Sequence, residues 1–287
     1  MRKLMVVGAL TAMCLSACGG GGSDSGVSAP QPTAKPLTIS MYGKPLVSGS
    51  TTAVAHAQLS AVSAAASATP ASGTTDAQAT VQSLTDALAA RGVTADVTAQ
   101  VMDGTTLHQI VTTEHNGIAP TADQFKTDPS SWLVVNFQLD DMVTPASDPA
   151  QQAAMAQFSQ DLLVFSQWAA VEGKAVFVVT PVFTCDTANS ASAGLWTAES
   201  NALVNGAPIR FIGQTGVGFS FSGTGQVIPS ANVAHMGADC RTPDAYVQNL
   251  QVQSVADSIA EGYKEAAAAA GGASGASAAS GASGTGT

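Results

Sequence analysis

The sequence predicts an α/β domain built on one doubly wound parallel sheet with helices on both faces. Three observations carry this. Strand-like and helix-like segments alternate about five times between residues 37 and 269. Two of the strands, SWLVVNFQL at 131–139 and AVFVVTPVF at 175–183, are nearly continuous apolar runs, as expected of strands covered on both faces. The segment between them, 149–172, places Met155, Phe158, Leu162, Phe165 and Ala169 on one helical stripe, the crossover a parallel pair requires.

Taken in order, LTISM at 37–41 alternates and carries a β-branched pair, giving a short strand that turns at Tyr42 and Gly43. From 48 to 75 the chain is almost entirely Ser, Thr, Ala and Gly, a loop or a weak helix over 56–66. Asp76 is placed to cap a helix reaching Arg91, with Val81, Leu84 and Leu88 on one face and Gly92 as the stop. Val93, Ala95, Val97, Ala99 and Val101 then alternate with mostly polar residues, the pattern of a half-buried strand over 93–102. Gly173 ends the helix over 149–172. Residues 191–205 suit a helix, IRFIG at 209–213 a strand, and 216–227 a loop or small hairpin. A last helix runs from 245 to about 269, and the tail from Gly272 is low-complexity and expected to be disordered.

The first residues have a separate purpose. Arg2 and Lys3 precede a short apolar run and small residues, the layout of a secretory signal, and no later run approaches the roughly 20 apolar residues of a membrane span. Leu15, Ser16, Ala17 and Cys18 resemble the lipobox of bacterial lipoproteins, which implies a leader over 1–17, lipidation of Cys18 and a flexible tether over 18–36. Gly19 and Gly20 after the cysteine favour the outer membrane. Loss of Arg2 and Lys3 with the leader takes the formal charge from −10 to −12, so nucleic acid is not an expected partner. With Cys14 removed and Cys18 acylated, Cys185 and Cys240 remain as the pair for a disulfide in an oxidising compartment. In the chain-entropy account such a loop stabilises the fold by about 3 to 4 kcal/mol.

In a doubly wound sheet the chemistry sits beyond the carboxyl ends of the strands. Those ends read Tyr42-Gly43-Lys44-Pro45-Leu46, Asp103-Gly104-Thr105-Thr106, Phe137-Gln138-Leu139-Asp140-Asp141 and Asp239-Cys240-Arg241-Thr242-Pro243. Their order and spacing resemble the four blocks of the SGNH (GDSL) hydrolases across roughly 37–265. The resemblance implies a flavodoxin-like sheet and descent from an esterase. In that family the first block is GDS with a nucleophilic Ser, the second supplies a Gly, the third is GxND with an oxyanion Asn, and the fourth is DxxHP with the base.

Here the departures fall on the chemistry. Pro45 stands where the nucleophile belongs, Asp140 replaces the oxyanion Asn, Gln138 its Gly, and Thr242 the base. Gly104 and the acid Asp239 are retained. Proline has no hydroxyl, threonine takes no proton near neutral pH, and a carboxylate opposes the charge an oxyanion hole should receive. A displaced set, His235 with Asp239 and Ser48 or Ser50, is the alternative route. His56, His108 and His115 lie in polar segments without metal-ligand spacing, so no metal or other cofactor is implied. Asp103, Asp140, Asp141, Asp186 and Asp239 read as turn and capping residues before they read as a cation site. Trp132, Phe137, Trp168 and Phe183 read as core, and Trp196, in a polar helix near the cleft edge, is the one candidate ligand platform. A disulfide at Cys240 would pin the loop that normally carries the base, favouring a rigid cleft. The expected protein is a monomeric lipid-anchored envelope protein whose domain binds an acylated or glycosylated ligand, or a partner, without conventional turnover. The alternatives are an ester hydrolase using displaced residues and a plain scaffold.

Overall fold

The computed structural model describes residues 36–48, 75–112, 121–182, 191–215, 219–221, 227–229 and 231–278. These belong to one compact unit starting at Pro36. The leader, Cys18, the tether, the 48–75 segment beyond Ser48 and before Thr75, His56, His115, Cys185, Asp186, Phe183 and the tail from 279 lie outside them.

Five parallel strands, β1 (Leu37–Gly43), β2 (Ala95–Val101), β3 (Trp132–Asn136), β4 (Ala175–Val179) and β5 (Ile209–Ile212), form one sheet in the order β2-β1-β3-β4-β5. That order is doubly wound: it reverses direction at β1 and β3, leaving a crevice at their carboxyl ends. Helices α1 (Asp76–Ala89) and α6 (Ala245–Ala278) cover one face. Helices α2 (Leu107–Thr112), α3 (Thr121–Thr127), α4 (Pro149–Val171) and α5 (Ala191–Val204) cover the other. The two short strands β6 (Phe219–Phe221) and β7 (Val227–Pro229) pair antiparallel, which realises the hairpin expected there.

Central strand β3 shows why apolar runs predicted a parallel sheet. Val134 packs under α1 and α6, while Leu133 and Val135 pack under α4 and α5. The stripe on α4 is also realised, with Phe158, Leu162, Phe165 and Ala169 all buried in the second core. Phe165 meets Tyr42, Phe125 and Phe137 edge to face, at centroid distances of 5.2 to 5.9 Å. Edge-to-face contact aligns positive ring edges with negative faces, so this cluster adds direction as well as area.

Four expectations are corrected. Tyr42 and Gly43 continue β1 instead of turning, because they pair with Val135 and Asn136 of β3. Thr75, not Asp76, caps α1: its hydroxyl accepts from the Gln78 N–H while the Gln78 side-chain Oε1 accepts from the Thr75 N–H. Strand β2 does not keep one face throughout. Met41 pairs with Ala99 but Tyr42 with Val101, so Gln100 is an extra residue, and Val97 packs in the first core while Val101 packs in the second. Finally, α6 continues to Ala278, past the expected end near 269 and into the Gly-Ala-Ser tail. The alanine run at 266–270 has the highest intrinsic helix propensity and carries the helix onward.

Candidate functional site

The carboxyl ends of β1 and β3 are locked together. Gly43 ends β1 at φ 92°, a left-handed conformation, and a Cβ there would stand 2.5 Å from the Asn136 carbonyl oxygen. Only glycine permits that approach. One residue on, the Lys44 N–H donates to the Asn136 carbonyl at 2.8 Å, and the Asn136 amide donates back to the Lys44 carbonyl at 2.8 Å. The following N–H groups turn inward. Leu46 and Val47 both donate to the Thr80 hydroxyl of α1, at 3.1 and 3.3 Å, and Ser48 donates to the Gln248 side chain at 3.1 Å. Gln248 in turn donates to Ser48 Oγ and to the Pro243 carbonyl, tying the first block to the fourth.

Above this junction lies a cavity of about 480 Å³, walled by Lys44, Pro45, Gln138, Asp239 and Arg241 and floored by aliphatic side chains that include Val182 and Leu195. A second cavity of about 350 Å³ lies past Lys44, beside Gly104, Thr105 and Asp140. A third, about 130 Å³, is walled by Thr106, His108, Asp140 and Asp161. Gln138 lines all three, and its side-chain amide makes no hydrogen bond among the described residues. The fold therefore gathers the first, third and fourth blocks around one cavity and the second around its neighbour, although they lie far apart in sequence.

What the fourth block does there is structural. Asp239 Oδ1 accepts from the Arg241 and Thr242 N–H groups at 3.0 and 3.1 Å, and Oδ2 accepts from the Thr242 hydroxyl at 2.8 Å. Those bonds, led by the Arg241 N–H, hold its carboxyl down to about 2. Both oxygens of Asp239 are thus engaged by groups of its own turn. Asp141 and Asp103 close similar turns, Asp141 on Val143 and Thr144 and Asp103 on Thr105. Asp140 carries no such turn. It is exposed and lines the second and third cavities.

The candidate substitute base points elsewhere. His235 sits in a 3-10 helix (Ala231–His235), where Nδ1 meets Asp244 Oδ2 at 2.9 Å and the ring lies 4.2 Å from that of Tyr246. It does not line the large cavity, which Asp239 and Ser48 do. Ser50 is outside the described residues. Trp196 is half-buried, with its ring 4.7 Å from that of Phe211. Cys240 occupies a left-handed conformation at φ 57° within the fourth block, and its expected partner Cys185 is outside the described residues.

Sequence reasoning passed over one pair. His108 Nδ1 lies 3.0 Å from Asp161 Oδ2, with the imidazole side chain 47% exposed and the carboxylate 5% exposed. The Gln157 amide donates to the other Asp161 oxygen at 3.0 Å. This is the geometry of a base and its orienting acid. The nearest hydroxyl in the same wall, Thr106, accepts from the Gln109 N–H as a helix cap. Fifty-three residues separate the pair, so no local motif signals it. Among the described residues no group of three His, Cys, Asp or Glu side chains is placed to hold a metal.

The strand order and the four blocks at its carboxyl edge define an α/β protein of the doubly wound, cleft-bearing class. The strand order is the flavodoxin-like one that the sequence resemblance implies. No known family matches the sequence, and no curated protein does. Solved structures similar to this chain include a protein described as an SGNH hydrolase from Slackia heliotrinireducens, 12% identical, with TM-score 0.46 over 78% of this chain and 100% of that one. TesA is 18% identical, with TM-score 0.44 over 76% and 96%. A family two carbohydrate esterase from Clostridium thermocellum, solved with cellohexaose, is 12% identical, with TM-score 0.43 over 80% and 66%. At these identities the likeness concerns fold alone.

Proposed function

We propose that this chain is a lipid-anchored envelope protein whose SGNH-hydrolase-like domain binds an acylated or glycosylated ligand, or a partner, in the cleft without serine-hydrolase turnover. The observation that carries the reading is the pairing of Pro45 at the nucleophile position with Asp239 bonded to Thr242 at the base position. Inward donation by Leu46 and Val47 adds to it, since those N–H groups face Thr80 and not a developing oxyanion. Leu15, Ser16, Ala17 and Cys18 support the anchor, and Gly19 and Gly20 its placement in the outer membrane. Under this reading the leader is 1–17, the tether 18–36, the domain 37–265 and the tail 266–287, in a monomer with a Cys185–Cys240 disulfide.

Fluorophosphonate labelling read by intact mass, beside hydrolysis of a short-chain nitrophenyl ester, tests it. No adduct and no turnover from the folded protein are expected, together with a raised Tm in the presence of a cleft ligand, about 2.7 kcal/mol of stabilisation at one hundred times Kd. A single adduct with turnover overturns the reading. Neither turnover nor any ligand shift leaves the scaffold alternative. A second reading, an ester hydrolase with a displaced base, is favoured by the His108–Asp161 pair. It predicts turnover without a fluorophosphonate adduct, lost in His108→Gln.

A further inference from the structure

Five large apolar side chains are exposed among the described residues, and they are unevenly placed. Val143 lines the cleft and Tyr246 lies against His235. The other three, Val171 at 81%, Leu203 at 43% and Val204 at 83%, fall at the last residues of α4 and α5. Both helices connect consecutive parallel strands across the same face, so they run side by side from the carboxyl edge of the sheet to its amino edge. Their ends therefore share the amino edge, where Leu37 begins β1. The chain enters the domain at the edge bearing the three aliphatics, and the cleft lies about 20 Å away, at the far end of β1. Arg210, the second residue of β5, is exposed and makes no ion pair among the described residues, which adds a cation close to that edge.

We infer that this amino edge is a membrane-contact surface, with Val171, Leu203 and Val204 in the lipid interface and Arg210 toward lipid phosphates. The inference rests on lipidation of Cys18. On the tether reading, a Gly- and Ser-containing linker of the length of residues 19–35 spans about 25 Å, which keeps the edge where it ends within reach of the headgroups. Valine at 81 and 83% exposure in two successive helix-to-strand turns has no folding use, since each forfeits burial. In a lipid interface the same side chains gain it. Glu172, exposed beside Val171, keeps the contact shallow. The cleft then opens away from the anchoring bilayer, so its ligand arrives from the aqueous side and not from the lipids beneath.

The test uses the full lipidated chain in phosphatidylethanolamine and phosphatidylglycerol vesicles, with an environment-sensitive fluorophore on Val204→Cys or, for comparison, Val143→Cys. The wild-type chain treated with the same reagent serves as the blank. Spin-labelled lipid is expected to quench the probe at 204 about twofold more than that at 143, and aqueous iodide to quench them in the opposite order. Arg210→Glu should reduce the lipid quenching at 204. Equal or reversed quenching with Cys18 shown by mass to be lipidated overturns the contact surface alone. An unmodified Cys18 overturns the anchor, and the surface with it.

Discussion

Two carboxylates at the carboxyl edge invite comparison. Asp239 stands in the fourth block, where the family resemblance puts the acid of a triad, yet it is exposed and bonded within its own turn. Asp161 belongs to no motif, yet it is buried, orients His108 and is itself held by Gln157. The carboxylate at the motif position bonds its own turn, whereas the one at the unremarked position meets an imidazole. A residue type at a block position therefore says less than what its oxygens bond. Glu199 extends the comparison to a third state: it is 1% exposed, and its Oε2 has no hydrogen-bond partner among the described residues.

The largest effect is expected at the floor both arms share. Gly43→Ala forces a left-handed φ and a 2.5 Å approach to the Asn136 carbonyl, and should lower stability by about 3 kcal/mol or more in urea unfolding. Tolerance of alanine there would mean that the first block is not locked. Next, Asp161→Ala strips the partner from His108 and Gln157 within a packed wall and should lower stability by about 2 kcal/mol. Asp239→Ala should leave the global unfolding midpoint in place and affect only amide exchange at Arg241 and Thr242. The reverse ranking would break the comparison.

Glu199→Gln should stabilise the protein at neutral pH by about 1 kcal/mol, because burial raises the folded-state pKa of this carboxyl well above 4.5. The sign follows from the folded protein holding its proton longer than the unfolded chain. Wild-type stability then falls as pH rises above 4.5 toward the folded-state value, and that slope should flatten in the variant when Tm is followed from acid to neutral pH. The smallest effect is the opposite one at Asp239. Its carboxyl, held at about 2 against an ordinary 3.8, contributes above 3.8 and loses that contribution as pH falls toward 2. Exchange protection at the Thr242 amide should therefore survive to lower pH than a carboxylate turn of ordinary pKa.

The architecture was legible because parallel strands buried on both faces must be apolar throughout. SWLVVN and AVFVV therefore announced themselves, as did the α4 stripe and the Gly173 stop. The bulge at Gln100 was not, since an extra residue changes which face a side chain meets without changing the alternating pattern. The block positions could be read directly, because a proline at 45 and a threonine at 242 are matters of residue identity. What became of the retained acid could not be read.

By itself the sequence determined the doubly wound class, the block positions at the strand ends and the residue types that stand at them, Pro45 and Thr242 among them, all of which depend on local periodicity and residue chemistry. Only the tertiary structure decided that Asp239 closes on Thr242, that Thr80 takes the N–H groups of Leu46 and Val47, and that His108 meets Asp161 across 53 residues. The reason is physical: a hydrogen bond is fixed by distance and direction in space, and packing two helices against one sheet brings together side chains that no interval along the chain relates.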